Sequence, residues 1–226
     1  MWRDLAAAAL TVVLALHLAR RWQRLRRTRA GAVERFYGAV KGFLEEERFE
    51  DTGSVGLPRL CGRYAHFDVQ VQPVVDTLAL RRLPVLWLLV TLQDKLPVSA
   101  RLDLMMRPAG PTTFSNFDLL PVTLPCPQGF PEHAVLRTDD LERAIPVEFL
   151  RPHLDIFSDK RAKELLITPL GVRIVWMLAE AERARYGILR QAEFGEIALQ
   201  PDLLRMLFAR LIAVRKSILD RQGRGA

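Results

Sequence analysis

An uncharged, apolar run near the N-terminus, ending at a cluster of arginines, constrains this chain most strongly. The run extends from Leu5 to Ala19. A membrane-spanning helix needs roughly 20 such residues, with about 17 as the lower limit, so the run is short. Trp2 and Trp22 flank it and can lie at the level of the lipid headgroups, while arginine side chains extend outward to the interface. We therefore predict a transmembrane anchor within residues 1–30.

The arginine cluster predicts the orientation of that anchor. Six arginines and no acidic residue lie between positions 20 and 29: Arg20, Arg21, Arg24, Arg26, Arg27 and Arg29. Basic residues next to a membrane span stay on the cytoplasmic side, and they also attract anionic headgroups. The expected arrangement is a single-pass protein of the inner (plasma) membrane, with its N-terminus outside and one cytoplasmic domain, residues 31–226.

Three other interpretations of the run are weaker. A cleaved signal peptide needs a positive charge before the run, but Arg3 is offset by Asp4 and the run ends at Arg20–Arg21. A buried helix of a soluble core usually carries a fuller polar stripe than Thr11 and His17 provide. An interfacial helix needs a stronger amphipathic character. His17 lies one turn from the predicted interface, where a histidine more often reaches toward the headgroups than binds a cofactor.

Small residues recur at every fourth position of the run, at Ala7, Thr11, Ala15 and Ala19. This spacing places them on one helix face, along which two helices can approach closely. The sequence therefore allows a homodimer through this helix, although abundant alanine in the segment explains the same spacing.

The charge distribution argues against a nucleic-acid partner. The net charge is +7, and subtracting the six clustered arginines leaves +1 for the rest of the chain. A nearly neutral domain has no broad basic surface that could follow a phosphate backbone. The expected partners are an anionic lipid bilayer and an unidentified protein.

The domain is predicted to be α+β, an antiparallel β-meander packed with amphipathic helices. A first amphipathic helix is expected from Val33 to about Arg48. Strands are expected around Tyr64–Val71, Leu83–Thr91 and Val98–Met106, from alternating or continuously apolar residues. In the last of these, Asp103 is placed on the wet face. Gln93–Pro97 is interpreted as the hairpin that joins the second and third strands.

The C-terminal half is expected to be mostly helical. Ser158 or Asp159 is interpreted as the cap of a short helix, and Thr168–Pro169 as the start of a helix to about Arg185. Residues 186–194 are interpreted as an edge strand or as an extension of that helix, with the strand favoured. A last amphipathic helix is expected over Asp202–Leu219. Strands followed by helices favour an α+β fold.

No catalytic, cofactor-binding or metal-binding residues are predicted. None of the four histidines has a partner at metal-ligand spacing, and no nucleotide-binding or hydrolase motif is present. The nearest approach to a nucleophile and base is Cys126 with His133, seven positions apart in a proline-rich loop. Two separated cysteines, Cys61 and Cys126, in a cytoplasmic domain are expected to remain thiols.

One stretch resembles uncharacterised bacterial membrane-anchored proteins in which a domain of unknown function follows N-terminal hydrophobic segments. The resemblance rests on Phe157, Asp159, Ala162, Leu165, Leu166, Thr168 and Pro169. It implies a bacterial source and assigns no catalytic residue.

Two functions follow as hypotheses. The first is a membrane-tethered interaction or scaffold module that binds a protein partner. The alternative is an enzyme of unrecognised type, with a pocket under the proline-rich loop 109–131 that uses Cys126, His133 or nearby acids. Long loops in compact domains are often functional, which makes this loop the first place to look for a binding surface.

Overall fold

The structure, a computed structural model, describes residue 17 and residues 30–52, 56–78, 83–181 and 194–222. Its centre is a nine-stranded sheet in which every neighbouring pair of strands is antiparallel. The strands are β1 Glu45–Glu50, β2 Arg59–Tyr64, β3 Phe67–Asp76, β4 Val85–Gln93, β5 Leu102–Met106, β6 Val122–Leu124, β7 Ala134–Thr138, β8 Ala162–Thr168 and β9 Gly171–Glu180.

The strand order is β1-β2-β3-β4-β9-β8-β5-β7-β6. The first four strands form a meander, and the β8–β9 hairpin then lies between β4 and β5. The chain after β4 passes the β8–β9 turn, since Asp94 N donates to Leu170 O and Leu96 N donates to Pro169 O. The edge strand β1 (EEERFE) is highly charged, which discourages pairing with another sheet edge.

Helices cover one face of the sheet, which we call the inner face. They are α1, residues 30–37; a 3₁₀ helix, Val147–Ser158; and α2, Pro201–Gln222. The main hydrophobic core lies between these helices and the strands. Six apolar residues of α2 are at most 4% exposed there: Leu204, Leu207, Phe208, Leu211, Val214 and Ile218.

The opposite, outer face is only partly covered. Residues 107–121, which we call the strap, cross it and bury Phe114 and Phe117 against Trp87, Met105 and neighbouring strand residues. This small second cluster closes one half of the outer face. The other half carries polar side chains.

The predicted fold class is wrong, because it assigned too much helix and too little strand to the chain. The described chain is mostly one antiparallel sheet with a single long helix, α2, rather than a meander packed with amphipathic helices. In the described ranges, no helix combines the length and apolar character that crossing a membrane requires. The run Leu5–Ala19, predicted to be an anchor, lies outside the described residues except for His17.

The helix predicted from Val33 to Arg48 is shorter than expected. The helical residues end at 37, a 3₁₀ turn covers Gly38–Val40, and β1 begins at Glu45. Gly42 adopts a φ of 74°, in the left-handed region that glycine tolerates, and this ends the helical path. Four apolar residues of this segment, Phe36, Tyr37, Val40 and Leu44, are nevertheless buried.

The two helices predicted between residues 158 and 185 are strands β8 and β9 where the structure describes them. Thr168–Gly171 forms the turn between these strands: Thr168 Oγ1 donates to Gly171 O and accepts from Leu170 N. Proline after threonine suits a tight turn as well as a helix start, and central strands buried on both faces lose the alternation that identifies a strand. The edge strand predicted at residues 186–194 lies outside the described residues except for Phe194.

Several elements were predicted correctly. β3, the centrally buried β4 and the inward side chains of β5 match the expected strands, and α2 matches the last helix. The hairpin predicted at Gln93–Pro97 is wrong, because β9 and β8 separate β4 from β5.

Candidate functional site

The outer face contains one row of residues that crosses all nine strands in register. The row runs Arg48, Cys61, Gln70, Thr91, Arg173, Leu166, Asp103, Arg137 and Thr123. Eight of these nine have a polar or ionisable side chain, in a sheet whose inner face is almost wholly apolar. Because successive side chains of a strand point to opposite faces, this row marks a polar stripe on the outer face.

Charged groups are buried where the strap meets this row. Asp103 is 1% exposed and Glu164 is fully buried. Arg173 Nη2 donates to Glu164 Oε1 at 3.0 Å, and Ser115 Oγ of the strap donates to the same oxygen at 2.9 Å. Glu164 therefore joins the strap to the sheet and pairs with Arg173, which makes it the ionised carboxylate of the cluster.

Asp103 is the protonated partner of this carboxylate. Burial raises its pKa well above the ordinary value, and the negative charge of Glu164 and a hydrogen bond with Glu164 raise it further, although Arg173 acts in the opposite direction. Asp103 Oδ1 and Glu164 Oε2 are both buried, and no donor faces either. A proton on Asp103, donated to Glu164, satisfies both oxygens at once.

Arg137 fastens the strap from the far side of Asp103. Its Nη1 group lies 3.1–3.5 Å from the backbone carbonyls of Phe117, Asp118 and Leu120, to which it donates, and its guanidinium lies 5.1 Å from the centre of the Phe117 ring. Strap and charge cluster therefore form one connected unit.

An open groove of about 280 Å³ lies beside this unit, on the part of the outer face that the strap leaves uncovered. It crosses five strands, from β2 to β8. Its lining residues are Arg59, Gln70, Gln72, Leu89, Thr91, Gln93, Leu166, Thr168, Leu170, Gly171, Val172 and Arg173. These include two arginines and no carboxylate.

Several polar groups in the groove are available to a ligand. Within the described part of the chain, the side chains of Gln70, Thr91 and Gln93 form no hydrogen bond. Arg173 uses one of its donor groups on Glu164, and its Nε is buried without an acceptor and is not exposed to the groove. Arg59 donates from Nε and Nη2 to Gln72 Oε1, at 3.1 and 2.9 Å, and its Nη1 lies 3.9 Å from Glu50. The groove thus offers unused donors and acceptors beside two cations.

An apolar side chain stands at the groove rim. Leu170, in the β8–β9 turn, is 73% exposed. Gly171 follows it with a φ of 144°, and a Cβ there would lie 2.1 Å from Leu92 O. Glycine therefore lets the turn press against β4 and close this end of the groove.

The residues predicted to form the membrane anchor cannot be placed. The flanking Trp2, Trp22 and six arginines, and the helix-pairing face Ala7, Thr11, Ala15 and Ala19, all lie outside the described residues. His17 is described and exposed.

Cys126 and His133 do not form a nucleophile–base pair. The Cys126 thiol donates to Ala134 O at 3.3 Å, and His133 Nε2 lies 3.8 Å from Glu132. Partial burial raises the pKa of the Cys126 thiol, which is the opposite of what an activated nucleophile needs. The groove does not include either residue.

The cysteines and the possible metal ligands among the described residues do not form a common site either. Cys61 and Cys126 are both free thiols, as expected, and burial raises the pKa of Cys61 to about 11. Among the described residues, no group of three or more histidine, cysteine, aspartate and glutamate side chains is arranged to hold a metal ion.

The sequence analysis missed Glu164, Arg173 and Arg59, and it placed Asp103 on the wet face. The available signal was charge placed among apolar residues in three strands: Asp103 in LDLMM, Lys163 and Glu164 in AKELLIT, and Arg173 in GVRIVWMLAE, which also ends in Glu180. Charged residues are almost never fully buried unless they are paired, so such isolated charges point to a shared site. The pairing of β8 with β5 and β9 was needed to bring them together.

Comparison with known proteins gives little guidance. No protein-family model matches the chain, and no curated protein matches it. Among solved structures, the chain is similar to the mycobacterial trehalose monomycolate transport factor A, TtfA, with 11% sequence identity and a TM-score of 0.41 over 84% of this chain and 93% of that chain. Similarity at this level assigns no function.

Proposed function

We propose that this protein is a non-catalytic interaction module that holds a segment of a partner protein on the outer face of its sheet, beside a membrane. The observation that carries the proposal is the groove itself, where unbonded amide and hydroxyl side chains lie next to two arginines. Polar groups in this number favour a hydrogen-bonded partner.

The shape of the groove supports a macromolecular partner. The groove is open to solvent along the sheet rather than enclosed, and its volume of about 280 Å³ lies just below the range of roughly 300–1,000 Å³ typical of small-molecule pockets. An extended protein segment can lie in such a depression while its remaining side chains face solvent.

Support for membrane attachment comes from the sequence. The uncharged run Leu5–Ala19, followed by six arginines within residues 20–29, favours attachment with the domain on the side of the anionic headgroups. The helix-pairing face on that run remains a proposal for homodimer formation.

The test is chemical crosslinking of the full-length protein in native membranes, followed by mass spectrometry. Thr91→Trp fills the groove, and Glu142→Trp adds the same side chain at an exposed position outside it. We expect one or more discrete adducts in the wild type and in Glu142→Trp, and their loss in Thr91→Trp. Adducts that survive in Thr91→Trp would show that the partner binds elsewhere.

A further inference from the structure

The strap is fastened to the sheet by side chains. In the described ranges, no backbone hydrogen bond joins residues 108–120 to a strand. Thr113 Oγ1 lies 3.3 Å from Asp76 Oδ1, Ser115 Oγ donates to Glu164 Oε1 at 2.9 Å, and Arg137 Nη1 donates to strap carbonyls. A segment held in this way opens at a smaller free-energy cost than a central strand, whose backbone is bonded on both sides. The strap can therefore leave the sheet while the strands stay paired.

Polar atoms without hydrogen-bond partners lie beneath the strap. Six buried side-chain nitrogen and oxygen atoms of the described residues have no such partner, and five of them belong to the outer face: Trp87 Nε1, Asp103 Oδ1, Arg137 Nε, Glu164 Oε2 and Arg173 Nε. The proton between Asp103 and Glu164 satisfies the two oxygens, and three N–H groups remain without an acceptor. Because a buried donor without an acceptor is unfavourable, water that reaches these groups offsets part of the cost of lifting the strap.

Asp103 is buried because the strap passes over it. Its strand, β5, lies between β7 and β8, and the strap contacts Arg137 on β7 and Glu164 on β8. The titratable and charged groups of the elements packed around Asp103 are Arg137 on β7, Lys163 and Glu164 on β8, Arg173 on β9 and, on the strap, the exposed Asp118. Lys163 Nζ donates to Met106 O and Arg107 O, at the start of the strap.

The closed strap holds a proton in this cluster. Burial raises the pKa of Asp103 well above its ordinary value, and the charge of Glu164 raises it further, while Arg173 lowers it. When the strap lifts, water reaches Asp103, so its pKa falls towards about 3.9 and the proton passes to solvent. The closed form binds this proton more tightly than the open form, so a rise in pH favours opening.

We infer that the strap is a lid on the outer face, and that it opens with release to solvent of the proton held between Asp103 and Glu164. Leu166 lines the groove, and Asp103 follows it in the row that crosses the sheet. Opening therefore extends the groove across β5, and it uncovers Trp87, which packs against Phe114 of the strap with ring centres 5.0 Å apart. The inference concerns this chain alone, so it does not depend on the proposed partner.

Hydrogen–deuterium exchange of the full-length protein in detergent, measured by mass spectrometry, tests the lid. The informative peptide contains the amides of Leu119 and Leu120, which donate to Asn116 O and Phe117 O at 2.9 and 3.2 Å. After correction for the intrinsic exchange rate at each pH, we expect its protection in the wild type to fall about tenfold or more between pH 5 and pH 7. Peptides from β3 and β4 should remain far more protected at both pH values.

Two pairs of variants separate the proton from other effects. Asp103→Asn keeps a donor toward Glu164 without a titratable proton, so its strap protection should be the same at pH 5 and pH 7. Asp118→Asn removes an exposed carboxyl group of the strap itself, and it should keep the wild-type fall. Ser115→Ala removes the hydrogen bond from the strap to Glu164, so it should lower strap protection about tenfold at both pH values. Ser99→Ala, at an exposed position outside the strap, should leave it unchanged.

Several results overturn the inference. An equal change of strap protection with pH in the wild type and in Asp103→Asn shows that this proton does not control the strap. Equal protection of the strap and β4 peptides shows that the strap leaves the sheet only when the domain unfolds. Complete exchange of the strap at the shortest time and at every pH shows that it does not close. Protected β4 peptides in the same spectra report that each variant is folded, and unchanged strap protection in Ser115→Ala overturns the latch without reference to Asp103→Asn.

Discussion

Asp103 on β5 and Glu164 on β8 bring two buried carboxyl groups together on neighbouring strands, with Arg173 as the direct cationic partner of Glu164. One proton removes the repulsion between these two carboxyl groups: it stays on Asp103, and Glu164 is ionised. The proton therefore sets the charge of this cluster, since an ionised Asp103 would place a second negative charge beside Glu164.

The first prediction locates this proton through two isosteric substitutions. Asp103→Asn keeps a neutral donor toward Glu164, so the free energy of unfolding should change by no more than about 1 kcal/mol. Glu164→Gln leaves the Arg173 guanidinium without its carboxylate in a buried site, and it should destabilise the protein by about 3 kcal/mol. Urea unfolding near pH 4, close to the pKa of an unfolded aspartate, measures both, because keeping the proton on Asp103 then costs little stability. Equal losses in the two variants would mean that the proton is not on Asp103.

The second prediction concerns pH. The pKa of Asp103 is raised in the folded state, chiefly by burial, so the folded protein binds this proton more tightly than the unfolded chain does. The stabilisation from the proton is fully present below the unfolded value of about 3.9, and it is lost as pH rises through the folded pKa. Asp103→Asn has no such proton, so the stability of the wild type relative to this variant should fall as pH rises above about 4.

Urea unfolding of both proteins at a series of pH values isolates this effect, because the other titrating groups are common to both. A constant difference between the two proteins across this range, or one that grows in favour of the wild type, would contradict a protonated Asp103.

The third prediction concerns the turn that closes the groove. Gly171→Ala adds a Cβ that would lie 2.1 Å from Leu92 O at a φ of 144°, so we expect a loss of more than about 3 kcal/mol in the free energy of unfolding. Gly110→Ala is the matched control, because φ there is 90° but no atom lies within 4 Å. It should cost about 1 kcal/mol through backbone strain alone. Similar losses in both would show that close approach of the turn to β4 is unimportant.

The fourth prediction compares two exposed leucines. Leu170, at the groove rim, is 73% exposed, and Leu141, outside the groove, is 62% exposed. Replacing either by serine should change stability by no more than about 0.5 kcal/mol. Leu170→Ser should reduce the yield of crosslinked partner in membranes severalfold, whereas Leu141→Ser should not. If both or neither reduce it, the rim leucine is not a contact.

Local sequence patterns were sufficient for part of the fold. β3 alternates apolar and polar residues because one face packs on the core, and α2 repeats apolar residues at helical spacing because only one stripe is buried. The charged edge strand β1 was not predicted, because the apolar residues before it keep a helical spacing. In the structure, Gly42 interrupts the helix before β1 begins.

The remaining errors arise from contacts distant in sequence. The β8–β9 hairpin inserts between β4 and β5, and nothing in Gln93–Pro97 distinguishes a hairpin from a longer crossing. β9 is buried on both faces near Val175 and Trp176, so its apolar residues fit a helix as well as a strand.

The site depends on the same distant contacts. The strap crosses the outer face of the sheet and buries Phe114 and Phe117 there. Its coverage is what buries Asp103 on a face that alternation alone marks as wet. The groove appears only when β2, β3, β4, β9 and β8 lie side by side, so Arg59 and Arg173, more than a hundred residues apart, could not be associated from sequence.

Site-specific photocrosslinking in intact membranes tests most directly whether the outer face is the binding surface. A photoreactive amino acid is placed singly at Gln70 and Gln93 in the groove, and at Arg101 and Glu142 outside it. We expect one partner protein to be captured from both groove positions and from neither control. Capture of the same partner from the control positions, with none from the groove, would contradict it.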